Sequence, residues 1–294
     1  MPLSFADLDT YRQSARHFNG PHGRIAWWMR GQGRPLLLIH GFPTCSYDWS
    51  RIWPRLVGSG FNPIALDMLG FGLSDKPDMH RYDLMQQADL HTQLMHIAEV
   101  DECDVVAHDY GVSIAQELLA KQNRGRLGFR INSVSFLNGG LFPDQHRARF
   151  IQRLLNSPLG PVLSTMLTRK RFGASFAAVF GADTQPDEEE LDAFWELLCE
   201  HNGHRIGHLL IRYIRDRKQH ARRWADALQG AGDTRLQLIN GSQDPVSGRH
   251  LADAFAERVQ EAQIVRLDGA GHYPQWEAPD DVFEALRSFL TPAG

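Results

Sequence analysis

Seven short apolar runs, each separated from the next by turn residues or helical patterns, limit this sequence more than any other feature. They read RIAWWMR (24–30), PLLLIH (35–40), NPIALD (62–67), CDVVAH (103–108), INSVSFLN (131–138), RLQLIN (235–240) and QIVRLD (263–268). Several are apolar at nearly every position rather than at every second one, the mark of strands covered on both faces. Helical patterns such as 114–121 and 251–259 lie between them. Alternation of this kind predicts an α/β fold, a mostly parallel central sheet with helices on both faces. With 294 residues, 43% of them hydrophobic, the chain can build one large domain or a domain carrying an insertion.

The rhythm breaks once. Residues 142–227 contain no strand-like run, only helical pieces. Within them Pro186 and the acidic DEEE (187–190) precede an apolar helical stretch at 191–198. Proline and carboxylates in the first turn suit a helix N-terminus, so a capped helix is expected there and not a calcium loop. The expected organisation is a core domain from 1–141 and 228–294 with a helical cap, or lid, from 142–227. The insertion would leave from the carboxyl end of the 131–138 strand, the edge where open α/β sheets bind ligands.

Charge and cysteine usage point away from several function classes. A net charge of −4 and 22% charged residues give no sign of a nucleic-acid partner or a membrane surface. The basic stretch Arg212, Arg215, Arg217, Lys218, Arg222 and Arg223 is expected to be a solvated helix face that offsets the acidic 187–190 run. Cys45, Cys103 and Cys199 are odd in number and widely spaced, which suits a reducing compartment. The opening MPLSFADLDT has no signal-peptide pattern, and no apolar run reaches bilayer length. A cytoplasmic location is expected, and a homo-oligomer stays open. There is no phosphate-binding glycine fingerprint, so no cofactor is expected. His201, His204 and His208 have helical spacing, but Gly203 and Gly207 interrupt it and no cysteine or carboxylate accompanies them, so no metal is expected either.

Four loops after four of the strands carry the reactive residues. HGFP (40–43) offers the backbone N–H of Phe42 to a developing oxyanion. AHDYG (107–111) has the pattern of a nucleophile elbow: small residues flank a sharp strand-to-helix turn, and the central side chain, Asp109, is thrust up at the helix start. The N–H of Tyr110 would point at the same space. GSQDP (241–245) carries Asp244 and GAGHYP (269–274) carries His272. The chain order nucleophile, acid, histidine is that of a triad in which Asp244 orients His272. A carboxylate at the elbow needs no base to attack: ionised near neutral pH, it forms an alkyl ester, and the histidine then activates water to hydrolyse it. The competing reading of Asp109 is a helix cap. Asp268, four residues before His272, is read as structural.

With HGFP, DMLGFGLSDKP (67–77), AHDYG, GSQDP and GAGHYPQWEAP (269–279), the chain resembles the α/β-hydrolase superfamily over nearly its whole length. The aspartate elbow is similar to the branch of epoxide hydrolases and haloalkane dehalogenases. HGFPTCSYDW, HDYGVSIAQELL, LNGGLFPDQHR and RKQHARRW resemble the mesoderm-specific transcript protein and its bacterial relatives. The resemblance implies a cofactor-free hydrolase acting on a small apolar organic substrate and water. Dehalogenases usually carry a tryptophan after the nucleophile and an asparagine after HG; here Tyr110 and Phe42 stand instead. Epoxide hydrolases usually carry HG-aromatic-P, which is met, and two lid tyrosines that protonate the opening ring. Tyr213 is the single tyrosine in 142–227, and Tyr110, His108 or a lid histidine would have to supply the second donor. Trp276 is a further candidate for the substrate's surroundings. Epoxide hydrolysis is therefore expected first and dehalogenation second. Ester or lactone hydrolysis ranks third, and a non-catalytic binding protein on the same scaffold is the reading from a different class.

Overall fold

The structure, a computed structural model, describes Phe5 and residues 7–291. One eight-stranded sheet runs through it: β1 (Arg16–Gly20), β2 (Gly23–Met29), β3 (Arg34–Ile39), β4 (Phe61–Leu66), β5 (Glu102–His108), β6 (Arg130–Leu137), β7 (Arg235–Gly241) and β8 (Gln263–Leu267). Their spatial order is β1-β2-β4-β3-β5-β6-β7-β8. The last six of these positions run parallel; β2 is antiparallel to β4, and β1 to β2. This is the α/β-hydrolase fold. The seven apolar runs are β2 to β8. The strand that sequence patterning misses is β1, RHFNG, an edge strand with no buried residue, so nothing forces an apolar signature on it.

The central strands explain why continuous apolar runs were needed. Leu36, Leu37, Leu38 and Ile39 are all fully buried, and so are Val105, Val106 and Ala107. Alternate side chains join opposite layers. Leu37, Ile39 and Val105 pack with Leu94, Ile114 and Leu118; Leu36, Leu38 and Val106 pack with Trp28, Trp49 and Leu286. Each such leucine contributes roughly 1.5–3 kcal/mol of burial, and a polar residue on either face would forfeit it.

Between β6 and β7 the described chain is helical, with the longest pieces Arg169–Ala177, Glu188–Cys199 and Tyr213–Gln229. Asp187 caps the second of these through a reciprocal pair: its carboxylate accepts from Glu190 N–H at 2.8 Å and Glu190 accepts from Asp187 N–H at 3.0 Å. The helix Tyr213–Gln229 lies against the helix Tyr110–Gln122 that follows β5. It corrects the expectation of a solvated basic face. Arg217 is 1% exposed and shares the inward face with Tyr213, Trp224 and Leu228. Arg223 forks onto the fully buried Glu117, two bonds of 2.7 Å, beside the Trp224 indole at 2.9 Å. Only Arg212, Arg215, Lys218 and Arg222 stay exposed. Nor does the acidic run offset them, since Glu190 pairs with Arg51 and Glu188 with Arg169. Among the described residues no helix is long and apolar enough to cross a membrane.

Candidate active site

The chain turns from β5 into the helix Tyr110–Gln122 at Asp109, whose φ of 43° and ψ of −102° lie where a side-chain-bearing residue is strained. Such a turn fits only among small neighbours. A methyl group on Gly111 would lie 2.5 Å from the Ile39 carbonyl oxygen, and one on Gly139 would lie 2.8 Å from Asp109 Cα. Asp109 occupies the cap position of the helix, yet its side chain accepts no capping hydrogen bond. The carboxylate instead accepts from Phe42 N–H, 3.2 Å from Oδ2, and lies 3.9 Å from His272 Nε2. The helix-cap reading is thereby set aside. Tyr110 is the first residue of the helix, its ring buried against Phe71 and Tyr213.

His272 Nδ1 is 2.7 Å from Asp244 Oδ2. The same oxygen accepts from Ser247 Oγ at 2.6 Å and from Asn138 Nδ2 at 2.9 Å, while Oδ1 accepts from Val246 N–H at 2.7 Å. Burial works to raise the Asp244 carboxyl, but the His272 charge and these donors outweigh it and hold it below its ordinary value. For His272 burial opposes the charged form, and the carboxylates of Asp244 and Asp109 on its two sides reverse that, lifting the imidazole well above its usual range. For Asp109 burial again opposes charge, and His272, Arg217 and His108 together hold the carboxyl well below the usual carboxylate range. The expected trio is thus brought together. Asp268 is exposed, paired with Arg249, and plays no part.

His108 needs correction. Its ring is fully buried beneath the site; Nε2–H donates to the His272 carbonyl oxygen at 2.8 Å, and Nδ1 faces Asp48 Oδ2 at 3.6 Å. It braces the histidine loop, with its other ring nitrogen turned to Asp48. Trp276 is 5% exposed. Its ring meets Phe194 and Tyr47, with Arg51 stacked over it 4.4 Å from the centroid, in an aromatic layer between insertion and core. Nearby, Glu277 ties the histidine loop to the insertion, accepting from Gly271 N–H and Gly181 N–H at 2.7 Å and Thr184 Oγ at 2.6 Å.

Three residues gather around the carboxylate. Arg217 crosses from the insertion: Nη2 donates to the Asp109 carbonyl at 2.6 Å and lies 3.5 Å from Oδ1, and Nε donates to Ser113 Oγ at 2.8 Å. Tyr213 is 1% exposed and stacked under the Arg217 guanidinium at 4.5 Å, and among the described residues its hydroxyl makes no hydrogen bond of good geometry. Burial, and then the charge of Asp109, push its pKa up, so it stays a neutral donor. His146 has both ring nitrogens shut off from solvent with no partner among the described residues; burial and the charge of Arg217 lower its pKa to about 4, with Asp109, His272 and Asp244 also acting on it. Sequence reasoning missed Asn138 and the inward turn of Arg217, and reached His146 only as one unnamed histidine of the insertion. A signal existed only for Arg217, which follows Tyr213 by four residues on the helix face that later carries Trp224.

A family model described as alpha/beta hydrolase family matches residues 36–285. A putative hydrolase of Mycobacterium tuberculosis, LipZ, is 39% identical over 260 residues, covering 88% of this chain and 89% of the relative. The mesoderm-specific transcript homolog protein of Bos taurus is 37% identical, covering 96% of this chain and 88% of its own length. A solved haloalkane dehalogenase, DbeA from Bradyrhizobium, shares the fold with a TM-score of 0.80 at 22% identity, over 94% of this chain and 97% of that one.

Proposed function

The chain belongs to the alpha/beta hydrolase family, and on that footing we propose that it is a hydrolase working through an alkyl ester on Asp109, with epoxides as the substrate class. The observation that carries this reading is the aspartate at the strained elbow, with Phe42 N–H and His272 on one carboxylate oxygen. Asp109 attacks a ring carbon, the C–O bond breaks, and the leaving alkoxide takes the Tyr213 proton. His146, half-buried with neither ring nitrogen partnered among the described residues, is the candidate second donor; a neutral imidazole can serve as a hydrogen-bond acid.

The ester step also accounts for the histidine. At rest, two carboxylates keep His272 protonated. Esterification removes the charge of Asp109, and the imidazole loses part of what raised its proton affinity. It gives up that proton, which replaces the one Tyr213 lost to the alkoxide, and the neutral imidazole then accepts a proton from water as that water attacks the carboxyl carbon, while Phe42 N–H and Tyr110 N–H hold the oxyanion. Proton release from His272 is thus timed by the first half-reaction. In this reading 142–227 is the cap that encloses an apolar substrate. Dehalogenation fits less well, because Phe42 and Tyr110 stand where halide-binding side chains would be needed.

One observation supports a second reading. The full positive charge of Arg217 beside the nucleophile suits a carboxylate leaving group. A lactone attacked at its alkyl carbon would give one and would avoid the anhydride that acyl attack forms.

A single turnover in ¹⁸O-labelled water tests the scheme. Water attacking the ester carbon leaves the label in the Asp109 peptide, and the first diol carries unlabelled oxygen from the enzyme. Label appearing in the first product would mean direct attack by water and would sink the ester.

A further inference from the structure

Of seven large apolar side chains exposed among the described residues, five fall within residues 150–166 of the insertion: Phe150, Ile151, Leu159, Val162 and Met166. Their exposures are high, 73% for Phe150 and 60% for Leu159. Folded surfaces scatter such residues singly, and clustering marks a surface that meets something apolar. The supporting frame is fixed. The helices Phe150–Leu155 and Gly160–Thr165 pack on each other, and the second rests on Gly207–Leu210. Its inward residues are Gly160 and Ser164, whose hydroxyl accepts from His208 N–H at 3.0 Å. Val162 on this helix is exposed and Leu163 only half-buried, the reverse of a core-facing helix.

Charge at this face is one-signed. Residues 145–182 hold Arg147, Arg149, Arg153, Arg169, Lys170 and Arg171 and no aspartate or glutamate, in a chain whose net charge is −4. Arg169 is neutralised by Glu188 and Asp192. Arg147, Arg153, Lys170 and Arg171 are exposed and have no carboxylate partner among the described residues. Arg153 and Arg171 fold onto the Ala148 and Met166 carbonyls, at the margin of the apolar patch, and Arg215 sits on the Asn156 carbonyl between the two helices.

We propose that this face docks the protein peripherally on an anionic phospholipid surface. Phe150, Leu159, Val162 and Met166 enter the headgroup–acyl boundary, and the arginines and Lys170 meet lipid phosphates. The charge balance of the whole chain gives no reason to expect a membrane; the local balance of the insertion does. A second copy of the chain is a poor occupant, because pairing two such faces opposes like charges. Docking would set the insertion, which carries Arg217 and Tyr213 over Asp109, against the phase where an apolar substrate accumulates. It does not depend on which bond Asp109 breaks.

Flotation of the full chain with phosphatidylcholine vesicles, with and without phosphatidylglycerol, tests this. The expected result is flotation with the anionic vesicles, little with the neutral ones, and release by salt. Phe150→Ser with Val162→Ser, and separately Arg153→Gln with Arg171→Gln, should each weaken binding about tenfold with unchanged thermal melting, since all four side chains are exposed. No flotation, equal binding to neutral vesicles, or unaltered binding by both variants would overturn the proposal. So would a wild-type dimer in size-exclusion chromatography that Phe150→Ser dissociates, which would assign the face to a second copy.

Discussion

Arg217 Nη2 lies 2.6 Å from the main-chain oxygen of Asp109, so a residue of the insertion holds the backbone of the strained elbow from outside the core. The same guanidinium is 3.5 Å from the Asp109 carboxylate. Arg217, 108 positions away, thus braces the backbone of the candidate nucleophile and, after His272, helps hold its carboxylate charged. Arg217→Met should lower kcat by about 100-fold, a cost of roughly 2.7 kcal/mol. Arg217→Lys should recover part of it, restoring charge but not the fork to Ser113 and the carbonyl. Steady-state kinetics with folding checked by circular dichroism decides; wild-type kcat in Arg217→Met would reduce the contact to packing.

The two half-reactions separate at His272. His272→Ala should alkylate once and stop, because the attack on substrate uses a carboxylate that is already ionised and only the hydrolysis needs a base. Intact-protein mass spectrometry should show one substrate mass added, located on the peptide containing Asp109. An unmodified His272→Ala protein after incubation with a turned-over substrate would contradict the order of steps.

Tyr213 discriminates between leaving groups. Its hydroxyl, without a hydrogen bond of good geometry among the described residues, is needed when an alkoxide departs and not when a halide does. Tyr213→Phe should slow epoxide opening about 10²-fold and leave halide release from a haloalkane, if any is detectable in the wild type, within a factor of about two. Equal rates on the epoxide would remove Tyr213 from the chemistry.

Much of this site was legible in the sequence because sharp geometry leaves a composition. A strand-to-helix turn with φ of 43° at Asp109 admits only a small residue at Gly111, and a doubly covered strand admits only apolar residues, so both can be read without coordinates. Arg217, His146 and Asn138 were not legible in that way. A buried arginine among exposed ones has the same composition as a solvated face, and the room for its guanidinium is left by Gly140, which is distant in sequence. Asn138 donates to Asp244 and the Gly241 carbonyl, but only because β6 and β7 are neighbours. His108 was misassigned for the opposite reason. Adjacent in sequence to the nucleophile, it points under the sheet end, since successive residues of a strand face opposite sides.

Two buried histidines give the fold a measurable acid limit. His40 donates from Nδ1 to the Gly41 carbonyl and accepts Met68 N–H on Nε2, so a second proton has no acceptor; burial lowers its pKa to about 3. Burial likewise lowers His91 to about 4, its Nδ1 bonded to the Gln87 carbonyl. The folded values lie below the unfolded value of 6.5, so the unfolded chain binds protons that the folded one refuses. This part of stability is complete above about pH 6.5 and is lost as pH falls toward 4. Urea unfolding of His91→Leu should show a slope about 1.4 kcal/mol per pH unit shallower than wild type across that window. Parallel slopes would mean that His91 protonates in the folded state.

Glu117 decides whether the insertion stays on the elbow helix. Fully buried, it accepts two bonds from Arg223 and one from the Trp224 indole, one to two turns beyond Arg217 on the same helix. Glu117→Ala strands a largely buried guanidinium and an indole N–H and should cost about 3 kcal/mol; Glu117→Gln, keeping one acceptor oxygen, should cost less. If the helix Tyr213–Gln229 loosens, Arg217 and Tyr213 leave Asp109 together. Glu117→Ala should then gain proteolytic cleavage within 213–229 and lose kcat by a factor similar to Arg217→Met, with little further loss in the double variant. Additive losses in that cycle would show that Arg217 reaches Asp109 without the Glu117 anchor.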